Sequence, residues 1–137
     1  FMPSQNYPDQ VLSQMADLVS DYTGTPTKEI YIEFGKYSVR EFKEMYGRYF
    51  AGRDFRGFIL EMNQIHESLA RDLPGITPPK FSYDESPDKV VMTYHSSRGY
   101  GEYFEGILRG AAEMFNADVR ISVRILDKDT ARAEVLF

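Results

Sequence analysis

The sequence has no cysteine, no tryptophan and only two histidines in 137 residues. Missing thiols exclude disulfides, iron–sulfur clusters, thiolate zinc sites and cysteine catalysis. No run approaches the roughly 18 apolar residues of a membrane helix. No signal peptide is visible, so the expected compartment is the cytoplasm. Basic residues are outnumbered, 16 Lys+Arg against 21 Asp+Glu, for a formal net charge of −5. A protein that tracks phosphates along nucleic acid wants the opposite sign, so nucleic acid is not an expected partner. Nothing resembles a nucleophile–base set, a phosphate loop or a metal-ligand spacing, and no enzymatic activity is expected.

What is present is a globular composition, 42% hydrophobic and 15% aromatic, in a chain the size of one domain, 1–137. Apolar residues at Val11, Leu12, Met15, Leu18, Val19 and Tyr22 predict a first helix that Gly24 ends. Pro26 in the first helical position opens a short helix stopped at Gly35, and a third helical piece covers Val39 to Phe50. Ala51-Gly52-Arg53 breaks the chain. Asp54 is a good N-cap for the longest helix, about 55–73, which Pro74-Gly75 stops. Strands are expected near 80–84 and 89–97, then a helix from Gly99 to Asn116, then two alternating strands joined at Asp127-Lys128-Asp129. The fold class is α+β: N-terminal helices packed on a four-stranded, mainly antiparallel sheet with embedded helices.

Two places carry chemistry. In Y-H-S-S-R at 94–98 the pleat sends Tyr94, Ser96 and Arg98 to one face and His95 to the other. A phenol, a hydroxyl and a guanidinium in a row suit carboxylates or phosphates. His66 lies in an apolar helix stripe with Ile59, Met62, Leu69 and Leu73. It reads either as a core imidazole bonded to a backbone carbonyl or as the single axial ligand of a haem, whose propionates the strand row would hold. Glu61 and Glu67 nearby read as solvated helix-face charges.

The row Y-x-S-x-R, the I-H at 65–66 and the P-G-x-x-P-P-x-F at 74–81 together resemble the H-NOX family, the haem nitric oxide/oxygen binding domains. Gly35, Phe42, Tyr49-Phe50-Ala51-Gly52-Arg53 and Tyr103-Phe104-Glu105-Gly106 extend the likeness from Tyr7 to Phe137. By that resemblance His66 is the proximal ligand to the iron of haem b, and Tyr94, Ser96 and Arg98 bind the propionates. Pro79 packs on the macrocycle, and Phe42 and Ile107 line its pocket. Tyr103 falls where dioxygen-binding members carry a distal tyrosine, and Ser38 where they carry an asparagine. The resemblance implies a haem-based sensor of nitric oxide and dioxygen that moves the helix bearing His66. Its implied partners are a histidine kinase, a diguanylate cyclase or a chemotaxis-type protein. The two opening helices of the family have no counterpart, which leaves one haem face uncovered and makes a homodimer over that face the expected closure. A haem-free, degenerate domain that binds a protein or another small ligand is the alternative.

Overall fold

The structure, a computed structural model, describes residues 9–72, 75, 78–96 and 101–137. Helix α1 (Asp9–Thr23) ends where Gly24 takes φ +74, a left-handed cap that glycine adopts without a Cβ penalty. Only Ala16 of its central turns is fully buried, while Leu18 and Tyr22 are exposed.

Helix α2 (Thr27–Met45) differs from the expectation. It runs unbroken through Gly35, which is no stop. Pro26 occupies the cap itself, its carbonyl accepting from the Glu29 and Ile30 amides. Gly35 lies instead at a close crossing with helix α5 (Gly101–Met114): a Cβ there would overlap the backbone of Tyr103, Gly106 and Ile107. A 3-10 turn at Gly47–Tyr49 and a bend at Gly52, φ +75, then reverse the chain.

The long helix expected over 55–73 is two helices. Asp54 caps α3 (Phe55–Leu60), its Oδ1 accepting from the Gly57 amide at 2.7 Å. At Glu61 (φ −102, ψ 12) the path breaks, and α4 (Met62–Asp72) begins. Leu73, Pro74, Ile76 and Thr77, on which the expected helix stop rests, lie outside the described residues apart from Gly75.

Four strands follow: β1 (Lys80–Ser86), β2 (Lys89–His95), β3 (Arg120–Asp127) and β4 (Thr130–Leu136). They form one sheet in the order β1-β2-β4-β3, every pair antiparallel. The inner face carries Phe81, Val90, Met92, Tyr94, Ala131, Ala133 and Val135, all buried with Phe104, Leu108 and Ala111 of α5. Alanines on β4 leave room for the helix, and Gly101 lies so close to Ile125 that a side chain there would collide. The expected α+β architecture is the one observed.

Candidate functional site

The break at Glu61 sets the start of α4 and so the position of His66, one turn in. The Glu61 carboxylate is not a free surface charge, as the sequence suggested, but pairs with Arg53 Nε. Arg53 also donates to the carbonyls of Tyr49 (3.0 Å) and Arg48 (3.3 Å), tying the bend after the 3-10 turn to the α3–α4 joint. Glu67 is exposed, as expected.

His66 Nδ1 lies 2.7 Å from the carbonyl oxygen of Met62. A carbonyl only accepts, so Nδ1 carries the proton and the lone pair of the neutral ring is at Nε2. Burial holds the imidazole below its usual pKa of 6.5, opposed by the smaller effect of the Met62 carbonyl, so the ring is neutral at pH 7. Its plane stacks on Phe81 at 5.5 Å. Phe81 touches Tyr94 (5.7 Å) and Phe104 (5.8 Å), and those two stack at 4.8 Å and 10°. One aromatic chain therefore runs from His66 through the edge strand to α5.

A polar residue that sequence reasoning passed over fixes that chain. The Asn63 amide grips the backbone of Phe81 from both ends, Nδ2 donating to its carbonyl at 2.9 Å and Oδ1 accepting from its amide at 3.0 Å. The Tyr83 hydroxyl donates to the carbonyl of Ile59 at 2.6 Å, near the helix break. An asparagine three residues before a histidine carries no local signal, since its partner is 18 residues away.

Tyr94 is buried facing inward and His95 is exposed on the outer face, as the pleat predicts. Strand β2 ends at His95. Ser96 follows it, with its amide donating to the Asp129 carbonyl at 2.9 Å. Arg98 lies outside the described residues. Pro79 immediately precedes β1 and is partly buried, and Ile107 packs against the core. Phe42 stacks with Tyr49 (5.8 Å, 11°) and packs with Tyr46 and Phe50. The Tyr103 hydroxyl donates to Ser38 Oγ at 2.5 Å, joining α5 to α2 beside the glycine crossing. Ser38 is the buried polar residue of the described core, and this bond satisfies it. Among the described residues no three His, Asp or Glu side chains gather as a metal cluster, so His66 stands as a lone imidazole.

A profile of the haem-NO-binding family, HNOB, matches residues 1–123. The chain belongs to the H-NOX family. Two soluble guanylate cyclases of Caenorhabditis elegans are similar to it: gcy-33, 32% identical over 127 residues, and gcy-31, 29% identical over 118. These alignments take in 89% and 80% of this chain but 13% and 16% of the cyclases, so the H-NOX chain spans a small part of the curated relatives it matches. Among solved structures, a Cs H-NOX mutant carrying 4-cyano-L-phenylalanine superposes with a TM-score of 0.84 at 28% identity, covering 97% of this chain and 75% of that one. A mutant of the T. tengcongensis H-NOX gives 0.83 at 28%, with 97% and 75% covered. An oxygen-binding H-NOX domain related to soluble guanylate cyclases, solved as its oxygen complex, gives 0.80 at 28%, with 97% and 73% covered. No helix among the described residues is long and apolar enough to cross a membrane.

Proposed function

We propose that this H-NOX chain is a haem-based gas-sensor module, with His66 as its one protein ligand to iron and nitric oxide or dioxygen as its signal. The observation that carries the reading is the Met62 carbonyl on His66 Nδ1, which fixes the tautomer and leaves Nε2 as the ligating nitrogen. What supports a haem is a neutral imidazole with Phe81 stacked beside it and Phe104 behind Phe81, and a strand carrying Tyr94 and Ser96, to which the sequence adds Arg98, outside the described residues, as a charge partner for two propionates. Pro79, Phe42 and Ile107 would complete the apolar lining.

When bound, haem supplies an iron centre that takes up a diatomic gas. The chain's own residues do the rest. The Tyr103 hydroxyl donates its one proton to Ser38 Oγ, so for it to favour dioxygen as a hydrogen-bond donor that proton must turn from Ser38 to the gas, with Ser38 then donating to the phenol oxygen. Asn63 ties the histidine helix to Phe81 of β1 by two bonds, and the Met62 carbonyl, one turn back on the same helix, orients the His66 ring. A gas signals only by favouring one position of α4 over another, so the energy needed to shift these bonds sets the response. The readout passes to a signalling partner, a histidine kinase, diguanylate cyclase, chemotaxis-type protein or a cyclase region like those of the relatives. The exposed Leu18, Val19 and Tyr22 of α1 support a homodimer or another covering chain on that side, which light scattering across a concentration series checks.

The test is His66→Gly. The wild-type chain, reconstituted with haem, is expected to show a single-histidine absorption spectrum that shifts with nitric oxide. The variant is expected to lose stable haem unless imidazole is added. Wild-type haem content and spectrum in the variant would refute the assignment, and no haem uptake by the wild type would favour the haem-free alternative.

A further inference from the structure

The outer face of the sheet takes no part in the site. Strand register places the side chains of Arg124 and Arg132 directly opposite each other on it. Along β4 and across to β2, the rows of that face read Ser82–Thr93–Arg132–Arg124 and Ser86–Lys89–Leu136–Arg120, with Lys80 beside His95 at one end. Five basic side chains (Lys80, Lys89, Arg120, Arg124, Arg132) stand there against three acidic ones, Asp84, Glu134 and, past the register shift at the end of β3, Asp127. The face is thus formally positive on a chain of net −5.

Several arginines elsewhere are engaged: Arg53 with Glu61, Arg109 with Glu105 and the Ile121 carbonyl, Arg56 with the Ser86 and Pro87 carbonyls. Arg120, Arg124 and Arg132 are exposed, and their side chains make no hydrogen bond or ion pair among the described residues. Like charges directly opposite on neighbouring strands cost stability. A fold that keeps two guanidinium groups side by side, flanked by the hydroxyls of Thr93, Ser122 and Thr130, holds two adjacent forks for carboxylates. Leu136, on the same face and 39% exposed, adds an apolar contact.

We infer that this face docks an Asp/Glu-rich polypeptide segment of a partner protein, with Arg124 and Arg132 at its centre. Charge complementarity selects that occupant. A long polyanion such as nucleic acid would meet the acidic remainder of the surface, whereas a short acidic segment need cover only the four strands. The surface is independent of haem, so it stands or falls separately from the sensor assignment.

The test titrates the 137-residue chain with a synthetic helical peptide rich in Glu and Leu, following amide shifts by NMR. Shifts are expected on β2, β3 and β4, with affinity falling as salt rises from about 50 to about 500 mM. Arg124→Glu with Arg132→Glu is expected to weaken binding about tenfold or more. Arg40→Glu with Arg71→Glu changes net charge equally on other surfaces and is expected to change it little. The first double variant exchanges one like-charge pair for another, so a cooperative melting curve and a dispersed amide spectrum are recorded to show that it folds. Equal binding of a peptide with Gln in place of Glu, equal loss in the two double variants, shifts mapping elsewhere, or binding only of phosphatidylserine vesicles or duplex DNA would each overturn the inference.

Discussion

Replacing Asn63 with alanine removes both bonds that join the histidine helix to the edge of the sheet. Phe81 is 7% exposed, and the bonds sit on the side of β1 that faces away from β2. Water has poor access there, so the freed amide and carbonyl of Phe81 go largely unsatisfied. Two neutral hydrogen bonds contribute about 1 kcal/mol each, and stranded buried groups add to the loss, giving about 2–3 kcal/mol. For a chain of this length that corresponds to a fall in Tm of about 6–12 °C. Gln64→Ala, at the next and exposed position of the same helix, is the control and should stay within about 0.5 kcal/mol. Thermal melting gives the total, and hydrogen exchange at the Phe81 amide gives the local effect: slow in the wild type, fast in Asn63→Ala. A Tm shift below about 2 °C, or a Phe81 amide that stays slow, would show that the clamp contributes little and that α4 is held by its apolar stripe alone.

Gly106→Ala places a methyl group against the Ile32 carbonyl and the Gly35 Cα, backbone atoms that cannot swing aside, and should cost about 1–3 kcal/mol or more in chemical denaturation. Gly47→Ala, with open space around it, should be neutral or mildly stabilising. Asp54→Ala loses the cap on Gly57 and should cost about 1 kcal/mol by the same assay. Burial pushes the Tyr83 phenol up to about 12 from 10.0, against a smaller opposing effect of the Met62 backbone. Because the folded value is raised, its contribution is complete below pH 10 and lost as pH climbs toward 12. Urea midpoints should therefore decline more steeply over that window in the wild type than in Tyr83→Phe, and parallel curves would refute the assignment.

Local signals were legible where one residue dictates a local shape. Gly24 and Gly52 mark turns with positive φ, Asp54 caps a helix, and strict alternation fixes which side of β2 holds Tyr94 and which holds His95. Gly35 was misplaced as a helix stop because a glycine that ends a helix and one that admits a neighbouring backbone look alike in sequence. The difference lies in Gly106, far along the chain. The break at Glu61 was invisible because Ile59, Met62 and Ile65 keep the helical period across it, while the reason for it is tertiary: Arg53 holds the Glu61 side chain and Tyr83 takes the Ile59 carbonyl. His66 was found as a ligand candidate from its stripe, yet the bond to Met62 shows that its two readings share one geometry. Tyr103 and Ser38 were each singled out, but nothing in the sequence says that they bond to each other.

The crossing of α2 and α5 has a mechanical consequence. At Gly35, Gly106 and Gly110 the helices meet backbone to backbone, and most neighbours of each missing Cβ are main-chain atoms of the other helix. Such a contact has no rotamers to exchange, so it lacks the usual means by which packed helices slide in small steps. The pair should behave as a stiff spar, with amides that exchange together and late. Any displacement imposed on the molecule would then be taken up at the irregular joint around Glu61, where the chain leaves helical geometry and side chains of three different segments meet.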